Sequence, residues 1–352
     1  MLILGIETSC DETAAAVVDG RKVKSDVVHS QVALHAEFGG VVPELASRDH
    51  LRNIAPVVQE ALSKAQTQLA EVDAIAVTNR PGLTGALLMG TQFASALCFA
   101  TDKPLIGVDH LVGHLLAVFL DFPEVTTPQA PEFPFIGLVA SGGHTAIYRV
   151  NGPTPQDITE LGATRDDAAG EAYDKVAKLL GLGYPGGPII DRLAQEGDPD
   201  AIPLSAPMKE RDSLEFSFSG LKSHVARWVR ENSPIKNDDT LRNLAASFQR
   251  VVVDTLMHKS IAAANREGIP RIVLAGGVSA NRSLRERGLL LCQDEGIAFV
   301  APHVRACTDN AAMIAYAGSF LAEQGVDDRG SLSISPRSIL PRLTKKGRGE
   351  RS

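Results

Sequence analysis

Short apolar runs and longer amphipathic segments alternate along most of the chain. Apolar runs bounded by turn-forming residues predict buried strands, whereas apolar residues spaced three or four apart predict helices. The longest helical pattern begins at Pro43, a residue type favoured in a first helical turn. The predicted strands are 2–7, 14–18, 23–28, 73–77, 105–108, 135–140, 146–150, 158–161, 271–275 and 297–301, and the predicted helices include 43–66, 86–100, 189–196, 240–267 and 311–324. This alternation indicates an α/β protein.

One strand–turn–strand pattern occurs twice. The segment 5–13, GIETSCDET, aligns without a gap with the segment 137–145, GLVASGGHT, at a constant offset of 132 positions. Each copy leads into a second strand that ends in a tight-turn pair, Asp19-Gly20 or Asn151-Gly152. Two similar hairpins at the starts of two halves predict a duplicated domain.

A nucleotide held between two such hairpins is the architecture of the actin, Hsp70 and sugar-kinase (ASKHA) superfamily, which this pattern resembles at the level of the fold. We therefore expect a two-lobed, duplicated α/β fold with a mixed sheet in each lobe and a nucleotide cleft between the lobes. The proline-rich stretch 121–134 is the expected connection. The predicted divisions are an N-terminal lobe at 1–130, a C-terminal lobe at 131–330 and a basic, mobile tail at 331–352.

The two hairpin turns differ in chemistry. In the second, Ser141, Gly142 and Gly143 offer hydroxyl and backbone N–H groups that suit a phosphate, although an ordinary turn explains the same residues. The first has Asp11 and Glu12 at the corresponding place. These carboxylates could hold a cation, orient water or act as acid–base groups, or they could form a solvated turn.

Composition and net charge narrow the class of protein but do not indicate a specific function. The chain has 352 residues, 44% of them hydrophobic, and a mean hydropathy of +0.01, which suits a globular protein with two cores. No apolar run approaches the roughly 20 residues that span a bilayer, and no signal peptide is evident. The four cysteines are widely spaced, which fits a reducing cytoplasm. The net charge of −7 means that nucleic-acid binding requires a local basic patch.

His110 and His114 are spaced to lie on one face of a helix, where they could grip one metal ion. The alternative is coincidence, and Gly113 is a poor helix former. The zincin peptidase motif requires Glu directly after its first His, and here that residue is Leu111. Asp309 is the best candidate for a third ligand, although it could simply cap the last helix. Two His and one carboxylate suit Fe(II) or Zn(II).

Other polar residues follow glycine breaks. Gly276 and Gly277 would let a flat base lie against a helix start near Asn281, and Asp174 and Asp191 flank another glycine pair and could reach ribose hydroxyls. Each could equally be a surface residue.

Taken together, these motifs resemble the bacterial tRNA N6-adenosine threonylcarbamoyltransferase family, once described as sialoglycoprotein endopeptidases. The resemblance covers nearly the whole chain and ends at Asp309-Asn310. The matching motifs are GIETSCDET at 5–13, HLVGH at 110–114, SGGHT at 141–145, DDAAGEAYD at 166–174, YPGGP at 184–188, FSFSGLK at 216–222 and GGVSAN at 276–281.

The resemblance implies transfer of a threonylcarbamoyl group from threonylcarbamoyl-AMP to N6 of the adenosine 3′ of the anticodon, in tRNAs that read codons beginning with A. It implies one divalent metal ion, with Fe(2+) as the first choice and Zn(2+) as the alternative. This ion would also tie the two lobes together. It further implies two protein partners, a shorter paralogous actin-like subunit and a small ATPase subunit, with no membrane involved. The rival functions are an ATP-dependent small-molecule kinase or ATPase of the same superfamily and a scaffold with a structural metal.

The family's functional residues carry over by position. The implied metal ligands are His110, His114 and Asp309. The implied adenylate contacts are Val139, Ala140, Ser141, Gly142, Gly143, Asp174, Gly187, Asp191 and Asn281. Asp11 and Glu12 correspond to residues implied in transfer. Helix 43–66 is our candidate for the paralogue contact, and Lys222, Arg227, Arg230 and the basic tail are candidates for tRNA contact, with a solvated face as the alternative.

Overall fold

A computed structural model of the protein describes residues 1–123, 125, 129–205, 208, 213–232 and 238–343. Part of the predicted connection (124 and 126–128) and the end of the predicted basic tail (344–352) lie outside the described residues. The chain forms two compact units. Unit 1 comprises Met1–Pro131, Pro153–Pro155 and Pro302–Ile339, and unit 2 comprises Glu132–Gly152, Gln156–Ala301 and the residues from Leu340.

Unit 1 is built on a five-stranded mixed sheet with the order β3-β2-β1-β4-β5. Four of its strands are buried along most of their length, as the apolar runs predict, whereas the edge strand β3 alternates between buried and more exposed positions. They are β1 Leu2–Glu7, β2 Glu12–Asp19, β3 Lys22–Ser30, β4 Ala74–Arg80 and β5 Leu105–Asp109, and the helices are α1 Val32–Ala36, α2 Pro43–Lys64, α3 Thr84–Thr101, α4 His110–Leu116 and α10 Ala311–Glu323.

Unit 2 contains the second sheet, with the order β10-β9-β6-β7-β8. Its core joins this sheet to the long helix α8, whose inner face is lined by apolar residues such as Phe248 and Leu256. The strands are β6 Phe135–Ala140, β7 Thr145–Val150, β8 Ile158–Ala163, β9 Arg271–Ala275 and β10 Ala298–Val300, and the helices are α5 Ala169–Leu179, α6 Gly186–Ala194, α7 Ser219–Glu231, α8 Asp238–Glu267 and α9 Arg282–Asp294.

The predicted duplication is confirmed by the strand pairing. In each unit the first two strands pair antiparallel and the first strand pairs parallel with the fourth. Gly5 pairs with Ala16 in one hairpin, and Gly137 pairs with Tyr148 in the other, so both registers keep the offset of 132 positions. The α/β class and the mixed sheet in each lobe are therefore confirmed.

The end of the chain departs from the predicted boundaries. Residues 302–339 belong to unit 1, whereas the sequence pattern placed 302–330 in the second lobe. Helix α10 packs directly on β1: a Cβ atom on Gly5 would lie 2.2 Å from the carbonyl oxygen of Ala311. The described part of the predicted mobile tail, residues 331–343, makes specific backbone hydrogen bonds, such as Ser335 N–H to Asn79 O at 3.1 Å. Residues 331–343 are therefore packed on the folded chain, contrary to the predicted mobility of this part of the tail.

None of the described helices is both long enough and apolar enough to cross a bilayer.

Candidate functional site

The three predicted metal ligands lie together in unit 1. Strand β5 ends at Asp109, and α4 then places His110 and His114 one turn apart, with ring centroids 4.5 Å from each other. Asp309 immediately precedes α10, and its Oδ1 lies 3.0 Å from His114 Nε2 and 3.6 Å from His110 Nε2. Because all three belong to one unit, the expectation that a metal would tie two lobes together through them is wrong.

This cluster fits a divalent ion. One ligand atom from each side chain lies within 4.8 Å of the others, a separation that bonds of about 2.0–2.2 Å to a common centre can bridge. Both ring nitrogens of His114 are buried, and neither has a hydrogen bond of acceptable geometry to any described residue, although Asp309 Oδ1 lies 3.0 Å from Nε2. Burial, and then the neighbouring His110, lowers the pKa of His114 and keeps its imidazole neutral, as a metal ligand must be.

The fully buried Glu7 carboxylate orients His110 through the ring nitrogen Nδ1. The Nδ1–H of His110 donates to Glu7 Oε2 at 2.9 Å, and the Thr78 hydroxyl donates to the same oxygen at 2.6 Å. This bond fixes the tautomer that leaves Nε2 facing Asp309. Burial lowers the pKa of His110, but Asp309 and Glu7 outweigh it and raise the pKa to about 9. Metal binding must therefore displace a proton from His110.

The turn that carries the two predicted catalytic carboxylates lies beside this cluster. Burial, then the charge of Asp309 and the charge of Asp11, raise the pKa of Glu12 to about 10 in the metal-free protein. The same carboxylates, after burial itself, raise the pKa of the Cys10 thiol. The charges of Asp11 and of the metal-ligand candidate Asp309 therefore act on both Glu12 and Cys10.

A buried histidine supports this turn. His50, on α2, donates from Nε2 to the Cys10 carbonyl oxygen at 2.9 Å, and the Thr13 hydroxyl donates to its Nδ1 at 2.8 Å. Burial lowers the pKa of His50 and favours this neutral tautomer. Helix α2 is thereby linked to the backbone between Ser9 and Asp11.

The second hairpin, in unit 2, forms a tight turn with accessible glycines. Ser141 N–H donates to His144 O at 2.8 Å, and His144 N–H donates to Ser141 Oγ at 3.1 Å. Gly142 and Gly143 are exposed, and a Cβ on either would meet nothing within 4 Å among the described residues. Val139 and Ala140, which precede this turn on β6, are buried.

Two further glycines allow backbone segments to pack against this hairpin. A Cβ on Gly170 would lie 2.7 Å from Ser141 O, and one on Gly276 would lie 2.6 Å from Ala140 O. The start of α5 and the loop after β9 therefore converge on the carboxyl end of β6, the edge at which α/β sheets bind ligands.

The remaining predicted contacts form two linked pairs in unit 2. Asp174 accepts from Gly186 N at 2.7 Å at the start of α6, one residue before Gly187. Gln249, 3% exposed on α8, donates from Nε2 to Asp191 at 3.0 Å and accepts from Asn281 Nδ2 at 2.8 Å. Asn281 also caps α9 by accepting from Leu284 N. Its amide group is therefore committed to supporting the helix start.

Glu7, Thr78, His50 and Gln249 were not identified from the sequence. Glu7 did carry a signal, because it is a carboxylate at the end of an apolar strand where the second copy has Val139. Gln249 is a polar residue on the buried face of a helix. His50 and Thr78 had no comparable signal, because their roles depend on contacts 37 and 71 positions away.

Sequence similarity to known proteins extends over nearly the whole chain. The profile of the family described as tRNA N6-adenosine threonylcarbamoyltransferase (TsaD) matches residues 22–316. The chain is similar to the tRNA N6-adenosine threonylcarbamoyltransferase of Sorangium cellulosum, with 58% identity over 100% of both chains. The protein of the same name from Geobacter metallireducens is 52% identical over 94% of this chain and 95% of its own.

Among solved structures, the chain is similar to the (R)-2-hydroxyglutaryl-CoA dehydratase component A of Acidaminococcus fermentans. The TM-score is 0.53 at 16% identity, with 92% of this chain and 99% of that chain covered. At this identity the likeness concerns the fold alone.

Proposed function

The chain belongs to the tRNA N6-adenosine threonylcarbamoyltransferase family, and from that premise we propose how its residues carry out the reaction. The protein transfers the threonylcarbamoyl group of threonylcarbamoyl-AMP to N6 of the adenosine 3′ of the anticodon, in tRNAs reading codons that begin with A. N6 attacks the carbamoyl carbon, the bond from that carbon to the phosphate oxygen breaks, AMP leaves, and N6 loses a proton. The tRNA substrate places the reaction in the cytoplasm.

His110, His114 and Asp309 hold one divalent ion, Fe(2+) in the first place and Zn(2+) as the alternative. The observation that supports this assignment is the cluster itself: one ligand atom each from His110, His114 and Asp309 lies within 4.8 Å of the others, and both imidazoles are buried. A bound ion supplies Lewis-acid polarisation of a carbonyl or phosphoryl oxygen. Glu7 keeps the Nε2 lone pair of His110 turned toward the ion position through its bond to Nδ1.

The adenylate binds in unit 2, where the second hairpin and the starts of α5, α6 and α9 supply its contacts. The backbone N–H groups of Gly142 and Gly143 stabilise the phosphate and the negative charge that develops as AMP departs. Gly187 leaves the start of α6 open to the ligand, since a Cβ there would meet nothing within 4 Å among the described residues. Asp191 accepts from the ribose hydroxyls, while Gln249 and Asn281 keep it in place.

Asp11 and Glu12 act as the acid–base groups for the proton that N6 loses. Burial and the charges of Asp309 and Asp11 raise the pKa of Glu12 to about 10 in the metal-free protein, so Glu12 is the protonated member of the pair there. Asp11 then accepts the N6 proton as the new bond forms. His50 holds the backbone of this turn, so the pair remains aimed at one position. The weak nucleophilicity of an aromatic amine makes such positioning a large part of the rate enhancement.

The macromolecular contacts are assigned to separate helices. The exposed Arg227 and Arg230 on α7, with the half-buried Lys222, contact the tRNA backbone. The outer face of α2 contacts the shorter paralogous subunit, because it exposes 67% of Leu51, and its neighbour α3 exposes 92% of Phe99. Large apolar side chains exposed on adjacent helices are typical of protein interfaces. The small ATPase subunit joins this complex.

The function is tested by reconstitution. The purified, metal-loaded protein is mixed with threonylcarbamoyl-AMP, an unmodified tRNA transcript and the two partner subunits, and the tRNA is digested to nucleosides for mass spectrometry. We expect threonylcarbamoyladenosine at the single position 3′ of the anticodon.

A transcript with guanosine at that position is the matched control and should remain unmodified, because it lacks the N6 amine. Absence of product from folded, metal-loaded protein with the normal transcript would overturn the proposal.

A further inference from the structure

The segment 327–339, which we call the C-terminal strap, follows the outer edge of the unit 1 sheet. Asp328 N–H donates to Leu105 O at 2.7 Å, and its side chain accepts from Gly107 N at 2.8 Å. Leu332 packs on β5, where a Cβ on Gly107 would lie 2.5 Å from its Cδ1 atom. Because β5 is an edge strand, the strap covers backbone groups that would otherwise lack partners.

The strap continues past β4 and ends at the start of the histidine helix. The Asn79 side chain donates to Ser333 O at 2.9 Å. Five residues later, the Ser338 hydroxyl donates to Asp109 Oδ2 at 2.6 Å, and Ile339 N–H donates to the same oxygen at 3.0 Å. Both bonds reach a carboxylate that is 4% exposed.

Asp109 is the N-cap of α4. Its Oδ1 accepts from Leu111 N at 3.0 Å, which satisfies one of the free N–H groups in the first turn. The helix has seven residues and carries both histidines of the metal cluster, the first of them directly after the cap. So short a helix depends on its cap and on packing for its position.

We propose that the C-terminal strap is part of the metal site's framework, with Ser338 as a positioning residue that acts on His110 and His114 through Asp109. The inference rests on the proposed metal site and extends it to a segment about 30 positions beyond the last ligand. Without the hydroxyl, Asp109 Oδ2 keeps only the bond from Ile339, the cap can rotate away from Leu111, and the first turn of α4 loosens.

The test measures metal affinity in the full-length protein. Zn²⁺ affinity is determined by competition with a chromophoric chelator, and Co²⁺ is added separately to record its visible absorption spectrum. For Ser338→Ala we expect binding weakened about 3–10-fold, less than the roughly 10–100-fold that direct partners of metal ligands contribute, because Ser338 acts through Asp109. We also expect an altered Co²⁺ spectrum. Ser338→Thr keeps the hydroxyl and should restore both properties.

Ser331→Ala is the matched control within the strap, because its hydroxyl bonds to Asp328 O and not to Asp109. It should bind metal as the unaltered protein does. If Ser338→Ala does not fold, the pair Ser338→Thr and Ser338→Val decides, since these side chains have the same shape and differ only in the hydroxyl.

The outcomes separate the two hypotheses. If the unaltered protein binds neither Zn²⁺ nor Co²⁺, the proposed metal site itself is wrong. The inference is overturned if the unaltered protein binds Zn²⁺ and Co²⁺ and Ser338→Ala binds them equally well with the same Co²⁺ spectrum. Equal binding and spectra for Ser338→Val and Ser338→Thr would overturn it in the same way. The strap would then be only a cover for β5.

Discussion

The hairpins of unit 1 and unit 2 have the same backbone arrangement, but the side chains at their turns suit different ligands. Their strands pair in the same register, but the first turn has Asp11 and Glu12 where the second has Gly143 and His144. Glu7 adds a third carboxylate on the first strand, where the second copy has Val139. One duplicated scaffold therefore carries a carboxylate turn beside three metal ligands and a glycine turn open to its surroundings.

Electrostatics explains why the two turns cannot exchange roles. A phosphate near the first turn would meet several carboxylates, whereas the second turn offers backbone N–H groups and no acidic side chain of its own. A cation is favoured at the first turn for the same reason, since it relieves the repulsion that raises the pKa of Glu12. The two hairpins keep one strand register, and the proposed division between cation chemistry and phosphate binding rests on the different residues at a few turn positions.

The largest effect is expected from a variant that removes a proposed metal ligand near the first hairpin. His110→Ala should lose most bound metal and reduce tRNA modification roughly 10³-fold, since a Lewis acid contributes several kcal/mol. Metal content by mass spectrometry and the reconstituted assay report the two losses. His258→Ala, an exposed histidine on α8, is the control. Full metal occupancy in His110→Ala would remove this residue from the ligand set.

A smaller effect is expected from neutralising one carboxylate of the first turn. Asp11→Asn keeps the size of the side chain but removes its basicity, so kcat should fall about 10²-fold, a typical contribution of a general base. The KM for threonylcarbamoyl-AMP should change little, because the adenylate contacts are assigned to unit 2. A raised KM with unchanged kcat would contradict the division of roles between the hairpins.

The smallest effect comes from giving the second turn the charge of the first. Gly143→Asp should raise the KM for threonylcarbamoyl-AMP about 10-fold, through repulsion of roughly 1.4 kcal/mol between the carboxylate and the phosphate. Gly143→Asn is the matched neutral variant and should be tolerated, since the position is open. Equal KM values in the two variants would show that the phosphate does not lie at this turn.

Sequence reasoning succeeded where the information was local. The strands, the two hairpins and the shared register follow from apolar runs and one repeated motif. It was less successful with α4, because Gly113 argues against a helix. The structure shows why glycine is there: a Cβ would lie 3.0 Å from Ile314 Cδ1 and 3.1 Å from Met313 Cγ, so α4 packs closely on α10.

The sequence did not predict which residues distant along the chain are in contact. Nothing in the pattern of 302–339 indicates that this segment returns to unit 1, because an apolar helix such as α10 predicts burial and not the sheet on which the helix packs. For the same reason the three metal ligands were identified by position, while their common location in one unit was not. The partners Glu7 and Gln249 became evident only once their hydrogen bonds were known.

The return of 302–339 to unit 1 has a consequence for biosynthesis. His110 and Asp309 are about 200 residues apart, so a ribosome adding ~5–20 residues per second needs roughly 10–40 s to supply the carboxylate after the histidines. During that interval α4 lacks both α10 and the strap that secures its cap. A nascent chain therefore carries two histidines without the complete ligand set, and uptake of the ion with all three ligands waits until Asp309 has been synthesised.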